Sequence, residues 1–310
     1  MKRKEFINHS LLSILGSPLL ISQNQKEPGR KRSLRVVHLT DMHIEQGEKI
    51  RKVIGKMVKQ ICDMEDQPDF ILNTGDNIMD AMSRGKAGVN EQWQAWQEYF
   101  MKNVRHEMHS CIGNHDIWGW ALNDTEISND PLSGKSWASA MLNMPGLYYS
   151  FEKNGWKFIC LDSSSYDPKG KGYTAKLDEE QFRWLEKEIE NTPPETFICI
   201  ATHIPILSVA VYFDGDNLNK GNWLIPGAWM HTDAKELKTL FHRHPNVKVA
   251  LSGHIHMSDQ VEFLGVRYLC NGSVCGKWWL GKYHEFGSVY AVVDFYDDGS
   301  VYCELKEINR

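Results

Sequence analysis

The chain has 310 residues, a formal net charge of −5 and 42% hydrophobic residues. This length suits one large α/β domain or two smaller ones, and either would bury a sizeable core. The negative charge argues against a broad basic surface that would bind a nucleic-acid duplex. It is compatible with small phosphorylated substrates, because bound cations would reverse the sign of the field locally.

The first 30 residues differ in character from the rest of the chain. Lys2, Arg3 and Lys4 precede a moderately apolar stretch over 6–22, and a polar segment follows it. This order is typical of a secretory signal, and the stretch is too short and too polar to span a membrane. We interpret 1–30 as a signal or disordered segment and predict export to the periplasm, with a cytoplasmic location as the alternative. No later segment approaches transmembrane length.

From residue 34 onward, short apolar runs alternate with stretches of helical periodicity, which is typical of layered α/β proteins. The first half predicts strands over 34–40, 69–74 and 107–112, and helices over 49–63 and 89–104. The seven cysteines lie mostly inside apolar runs and form no CxxC pair, so we interpret them as buried thiols.

The second half of the chain contains more strands. Asn154 and Gly155, between two apolar runs, predict a hairpin over 146–162. Helices are predicted over 177–191 and 233–243, and further strands over 197–202, 247–252, 260–265, 266–272, 288–296 and 300–307. Because the sequence shows no obvious linker and no internal repeat, we interpret 34–310 as one domain of mixed sheet flanked by helices.

Five short segments carry side chains that bind metal ions well. They are Asp41-Met42-His43, Gly75-Asp76-Asn77, Gly113-Asn114-His115-Asp116, Thr202-His203 and Gly253-His254-Ile255-His256. Three of them place a glycine before the polar residue at the end of an apolar run, where a sharp turn would need it. Open α/β folds place their chemistry just beyond the carboxyl ends of strands. Imidazole, carboxylate and amide groups in this arrangement predict a hydrolytic site for two metal ions.

Taken in order, Asp-x-His, GDN, GNHD, His and GHxH resemble the calcineurin-like metallophosphoesterase superfamily over 41–256. The short spacing and the helix containing Gln181-Phe182-Arg183-Trp184-Leu185 are most similar to the bacterial cyclic-nucleotide phosphodiesterase-like branch. The resemblance implies an α/β fold in which two mixed sheets pack as a sandwich flanked by helices (αββα). It also places the metal site at the carboxyl ends of the strands.

The resemblance implies a hydrolase of small phosphoesters, with a phosphodiesterase as the first hypothesis. A phosphomonoesterase acting on nucleotides or sugar phosphates is the alternative. A non-catalytic scaffold is disfavoured, because such relatives typically lose ligands or the catalytic histidine, and this chain retains them all. The implied mechanism is attack on phosphorus by a metal-bound hydroxide.

The resemblance also implies a role for each motif residue. The implied ligands are Asp41, His43 and His256 for the first ion and Asn114, His203 and His254 for the second, with Asp76 bridging the two. His115 would act as a catalytic acid beside the metals, and Asp116 would orient its ring. The ions would be Mn, Fe or Zn, which this ligand set does not distinguish. Met79 stands where purple acid phosphatases carry a tyrosine, which argues against a tyrosine-ligated ferric site.

Residues outside the motifs receive more modest interpretations. The histidines interpreted as surface or core residues are His38, His106, His109, His231, His242, His244 and His284. Tryptophans near the motifs are Trp118, Trp120, Trp223, Trp229, Trp278 and Trp279. Aromatic rings there would stack a nucleobase, sugar or other ring of the substrate, or alternatively would only pack a lid or the core.

Overall fold

The computed structural model describes residues 30–308, except residues 123, 168, 170 and 171. The predicted export signal therefore lies outside the described residues. The described residues from Lys31 onward form one compact unit. Within the described part of the chain, every helix is too short or too polar to cross a membrane.

The described residues form fifteen strands and six α-helices. The strands are β1 Arg32–Leu39, β2 Phe70–Asn73, β3 Met108–Ser110, β4 Tyr149–Lys153, β5 Trp156–Cys160, β6 Ser164–Asp167, β7 Gly172–Ala175, β8 Phe197–Ala201, β9 Leu218–Asn219, β10 Asn222–Trp223, β11 Val247–Ser252, β12 Ser258–Phe263, β13 Val266–Asn271, β14 Val289–Tyr296 and β15 Val301–Glu307. The α-helices are α1 Glu48–Cys62, α2 Lys86–Trp96, α3 Thr125–Ser128, α4 Ser136–Met141, α5 Glu179–Glu190 and α6 Ala234–Arg243.

Two mixed sheets contain most of these strands. The first has the order β15-β14-β1-β2-β3, and the second has the order β12-β13-β11-β8-β5-β4. In the first sheet β1, β2 and β3 run parallel, β14 pairs antiparallel with β1, and β15 pairs antiparallel with β14. In the second sheet β5, β8, β11 and β13 run parallel, with β4 and β12 antiparallel at its edges.

The two sheets share an apolar layer. Val36 and Leu72 of the first sheet belong to the same buried cluster as Phe158 and Leu251 of the second. Because successive side chains of a strand point to opposite faces, the neighbouring residues are directed away from this layer. The central strands are therefore buried on both faces, which explains their nearly continuous apolar runs.

Helices cover the outer face of each sheet. Val37 and Ile71 of the first sheet pack in one cluster with Ile54 of α1 and Trp93 of α2. On the outer face of the second sheet, Ile200 belongs to a cluster that α5 and α6 complete. The layers are thus helix, sheet, sheet and helix, and the predicted αββα fold is confirmed.

Several predicted elements are found with shifted bounds, and four strands and two short α-helices were not predicted. The predicted hairpin turns at Asn154 and Gly155, whose φ angles of 49° and 81° suit such a turn. Helix α2 begins earlier than predicted and continues as a π-helix over Gln97–Met101. The sequence analysis missed the hairpins β6–β7 and β9–β10 and the short helices α3 and α4.

The parallel strands determine where the motifs lie. The five motif segments follow the carboxyl ends of β1, β2, β3, β8 and β11, three from the first sheet and two from the second. Each motif thus follows the carboxyl end of a strand, which is where open α/β folds place their sites.

Candidate metal centre

The first group of candidate ligand atoms surrounds His43 and is buried. Its Nε2 atom lies 3.1 Å from Nε2 of His256, 3.5 Å from Oδ2 of Asp76 and 3.8 Å from Oδ1 of Asp41. The Nε2 atom of His256 lies 3.2 Å from the same Asp41 oxygen. Two ligands about 2.1 Å from one ion at right angles are about 3.0 Å apart, so one cation fits among these atoms.

The second group surrounds His203, which is also buried. Its Nε2 atom lies 3.1 Å from Oδ1 of Asn114, 3.2 Å from Nδ1 of His254 and 3.3 Å from Oδ2 of Asp76. The Asp76 oxygen is therefore common to both groups. A carboxylate oxygen in that position can bridge two cations, which a two-metal site requires.

Backbone carbonyls orient three of the four imidazoles in these groups. The bonds run from His256 Nδ1 to the carbonyl of Gly276 (2.7 Å), from His203 Nδ1 to that of Thr74 (2.8 Å) and from His254 Nε2 to that of Ala228 (2.9 Å). Each bond uses the outward nitrogen as the donor and leaves the inward nitrogen as an acceptor. This arrangement fixes the tautomer that a metal ion needs.

The Asp41 carboxylate is held from one side only. Its Oδ2 atom accepts hydrogen bonds from the Thr40 hydroxyl (2.6 Å) and the backbone N–H of His254 (2.9 Å). Its Oδ1 atom is buried and has no hydrogen-bond partner among the described residues. An unpaired buried carboxylate oxygen is costly, and a cation between it and the two imidazoles would satisfy it. The donor set therefore fits the metal ions that the sequence predicts.

Two motif glycines are needed because the carboxylates approach the backbone closely. A Cβ atom on Gly113 would lie 2.1 Å from Oδ1 of Asp76, and one on Gly253 would lie 2.2 Å from Oδ2 of Asp41. The predicted need for a sharp turn applies to Gly75, whose φ is +100°. Positive φ angles are also found at the candidate ligands Asp41, His43, Asp76, His254 and His256.

The pKa values of the candidate imidazole ligands shift in opposite directions, because burial lowers them and the nearby carboxylates raise them. Burial lowers the pKa of His43 to about 4 and that of His254 to about 3. Although burial opposes protonation, the Asp76 carboxylate raises the pKa of His203 to about 9. A cation placed beside Asp76 would replace the proton on His203, since a metal-binding imidazole must be neutral.

His115 lies beside the candidate ligands, and its ring is oriented by Met79. The Nδ1 atom donates to the Met79 carbonyl at 2.7 Å, and the ring meets that of His43 edge-on at 4.7 Å. The backbone N–H of His115 donates to Oδ1 of Asp76 at 2.7 Å. These contacts leave Nε2 of His115 as the nitrogen able to exchange a proton with a substrate.

The predicted orientation of His115 by Asp116 is wrong. The Asp116 carboxylate instead accepts hydrogen bonds from the backbone N–H groups of Gly113, Asn77 and Ile78 and from the Asn77 amide. Burial, followed by the charge of Asp76, raises the pKa of Asp116 to about 6. Asp116 therefore ties the GDN and GNHD segments together and acts on the site through the backbone.

Cys275 lies at the candidate metal site, although the sequence analysis interpreted it only as a buried thiol. Cys275 forms a possible metal-binding group with His43 and His256, although its Sγ atom lies 3.7 Å from the outward Nδ1 of His256. Only the fold brings it there, because it belongs to no motif. The histidines interpreted as structural are absent from the metal-binding groups found among the described residues.

The tryptophans near the motifs fall into different environments. Trp118 and Trp279 are buried, whereas 51% of Trp223 is exposed on β10. The ring of Trp278 lies 4.6 Å from that of His256 and is partly exposed. Burial of Trp118 and Trp279 agrees with the core-packing interpretation, and stacking of a substrate ring stays a prediction for the exposed tryptophans.

The chain was also compared with known proteins. Residues 34–258 match the model of the family described as calcineurin-like phosphoesterase. The chain belongs to this family. It is accordingly a metal-dependent hydrolase of phosphoric esters, as its motifs predicted.

Relatives and a solved structure agree with this membership. The chain is 26% identical over 260 residues to a 3′,5′-cyclic-nucleotide phosphodiesterase of Nostoc sp., covering 81% of this chain and 80% of that one. It is 25% identical over 228 residues to a probable glycerophosphodiester phosphodiesterase of Arcobacter nitrofigilis, covering 71% of each. A dimetal phosphatase from Danio rerio shares the fold, with a TM-score of 0.58, 12% identity and coverage of 90% of this chain and 100% of that one.

Proposed function

We propose that the protein is a phosphodiesterase that uses two metal ions. Asp41, His43 and His256 would hold one ion, Asn114, His203 and His254 would hold the other, and Asp76 would be shared by both. The observation that carries this proposal is the position of Asp76 Oδ2, which lies 3.5 Å from Nε2 of His43 and 3.3 Å from Nε2 of His203. When bound, the two ions would supply an activated water molecule and positive charge beside the phosphoryl oxygens.

The protein's own residues complete the chemistry. Because Met79 holds Nδ1 of His115, the Nε2 atom donates a proton to the departing ester oxygen. Asp116 keeps the GNHD segment against the GDN segment, so the position of His115 relative to Asp76 is maintained. The donors are nitrogen and oxygen atoms, a set that suits Mn, Fe or Zn.

The choice of a diester rests on two relatives. Both the Nostoc and the Arcobacter relatives are named as phosphodiesterases, one of cyclic nucleotides and one of glycerophosphodiesters. We therefore propose a small phosphodiester as the substrate. Export to the periplasm also stays a proposal, which the N-terminal sequence of the protein recovered from its host would test.

The test is hydrolysis of two chromogenic esters by metal-free protein resupplied with Mn²⁺. Bis(p-nitrophenyl) phosphate reports diesterase activity and p-nitrophenyl phosphate reports monoesterase activity, with metal content measured in parallel. Metal-dependent preference for the diester is expected, and Asp76→Asn should lose both activity and bound metal. Preference for the monoester would replace the proposal with a phosphomonoesterase. Failure to bind metal would overturn the proposed site.

A further inference from the structure

The segment after β13 carries an unusual backbone beside the first ligand group. Trp278 and Trp279 are consecutive and both have positive φ angles, 42° and 66°. Bulky residues adopt this conformation only where surrounding contacts enforce it. Trp279 is buried and provides those contacts, since its indole N–H donates to the carbonyl of His43 at 2.8 Å and its own carbonyl accepts from Lys49. The strained backbone is therefore anchored directly to a metal-site motif.

This anchoring places the Trp278 ring against two proposed metal ligands. The ring centroid lies 4.6 Å from that of His256 and 6.1 Å from that of His43. Among the tryptophans of the described residues, only Trp278 has its ring in contact with the imidazole of a proposed ligand. Its side chain is partly exposed, so it forms part of the wall of the site and not of the core.

Tyr283 completes an aromatic corner with Trp278. The two rings are nearly perpendicular, at 85° and 5.5 Å, and the Tyr283 ring lies 5.9 Å from that of His256. The Tyr283 hydroxyl donates to the carboxylate of Asp214, which fixes the ring from its far end. The pair of rings is thus fixed at one end by its contacts with His256 and at the other by Asp214 in the loop before β9.

We propose that Trp278 is a specificity-determining residue that stacks against a planar ring on one ester group of the substrate. This inference rests on the proposed phosphodiesterase function and specifies its substrate class. A phosphate held between the two ligand groups must direct its ester groups over the surrounding side chains. An ester group that extends over His43 and His256 meets the Trp278 ring. Nucleoside and aryl phosphodiesters are therefore preferred over aliphatic ones.

The test compares substrates that differ in the ring. KM and kcat of the metal-loaded protein are measured with 3′,5′-cyclic AMP and with glycerophosphoethanolamine. Binding of AMP and of ribose 5-phosphate is measured by calorimetry, which requires no turnover. Trp278→Leu should raise KM for cyclic AMP and Kd for AMP by roughly 10-fold, in line with base–aromatic stacking. The values for the two ligands without a ring should stay within about twofold, and Trp278→Phe should retain most of the ring preference.

Trp223 provides the matched control, since it is an exposed tryptophan whose recorded ring contact is with Tyr212. Trp223→Leu should change none of these constants. Equal losses on all ligands together with reduced metal content would show that Trp278 only supports His256, and would overturn the inference. Unchanged constants in Trp278→Leu would also overturn it. If the metal-loaded wild type hydrolyses neither diester, the proposed function fails, and the AMP measurement still decides the role of Trp278.

Discussion

At the scale of single residues, the proposed catalytic role of His115 can be tested separately from metal binding. Its side chain belongs to neither set of proposed ligands, and its ring is fixed by a backbone carbonyl. Replacement by alanine keeps the backbone N–H that donates to Asp76. We expect His115→Ala to retain both metal ions and to lower kcat for bis(p-nitrophenyl) phosphate by roughly 10²–10⁴-fold, because the proton donor is lost. Turnover near that of the wild type, at full metal content, would remove His115 from the mechanism.

The close approach of Gly253 to Asp41 allows a test of whether local packing fixes the position of the Asp41 carboxylate. A Cβ atom there would lie 1.9 Å from the Thr40 hydroxyl and 2.2 Å from the Asp41 carboxylate. We expect Gly253→Ala to displace Asp41 and to weaken binding of one ion by roughly 10–100-fold, as measured by metal titration. Gly55→Ala in α1 is the control, since its added Cβ would lie more than 4 Å from every described atom other than its chain neighbours and the adjacent helix backbone. A variant at Gly253 with unaltered metal affinity would show that the strand end relaxes without moving Asp41.

The sequence predicted which residues meet at the site better than how they are held there. The seven proposed ligands lie in two groups that share Asp76, although their role as ligands stays a prediction. The partner of His115 was not predictable, because it is a backbone carbonyl whose position depends on the turn after the GDN motif. The contact between Trp278 and His256 depends in the same way on a loop conformation.

At the scale of elements, Asp233 connects the loop before α6 to the start of α5. Its carboxylate accepts hydrogen bonds from the His231 imidazole at 2.8 Å and from the backbone N–H of Leu177 at 3.0 Å. Although burial opposes ionisation, the bond from His231 lowers the pKa of Asp233 below its ordinary value. A carboxyl whose pKa is lowered by folding stabilises the protein above its unfolded pKa of about 3.9, and this contribution is lost as the pH falls through the folded value.

Asp233→Asn should therefore lower the free energy of unfolding at pH 7 by about 1 kcal/mol. The difference from the wild type should shrink as the pH falls below about 4, because the carboxyl then takes up a proton more readily in the unfolded chain than in the folded protein. Urea unfolding between pH 3 and pH 7 measures both effects. The exposed Asp216 supplies the control as Asp216→Asn. A difference that is constant with pH would show that the charge of Asp233 contributes nothing.

Elements with strong local patterns were predicted, and those without them were missed. Helix α1 buries Ile50, Val53 and Ile54 in its first turns, at the spacing that identified it. The strands β6 and β7 have the sequences SSYD and GYTA, which lack an apolar run or a clear alternation. The hairpin β9–β10 is two residues long on each side and exposed, so its local pattern is equally weak.

At the scale of the whole molecule, the order of strands could not be derived from local patterns. Strand β1 pairs with β14 through partners such as Val36 and Val293, which are more than 250 residues apart in the chain. Such pairings depend on which buried faces meet, and many orders satisfy the same apolar pattern. The resemblance of the motifs to a known family supplied the two-sheet arrangement that the composition and periodicity left open.

The proposed metal ions would also join the two sheets. The first ligand group takes Asp41, His43 and Asp76 from ends of the first sheet and His256 from the end of β11 in the second. The second group takes Asn114 from the first sheet, and His203 and His254 from the second. Each ion would therefore be held by residues from both sheets. Without the ions, the buried Asp41 and Asp76 carboxylates would depend on protonated imidazoles for compensation, since Asp76 raises the pKa of His203 to about 9.

Removal of the metal ions should consequently destabilise the whole fold. An ion present at 100 times its Kd stabilises the folded state by about 2.7 kcal/mol, and two ions contribute about twice that amount. For a protein of this size we expect chelation to lower the unfolding temperature by roughly 10 °C. Thermal unfolding with EDTA and with Mn²⁺ measures this shift, and Asp76→Asn should abolish most of it. An unfolding temperature that is unaffected while metal content falls to zero would place the ions outside the junction of the two sheets.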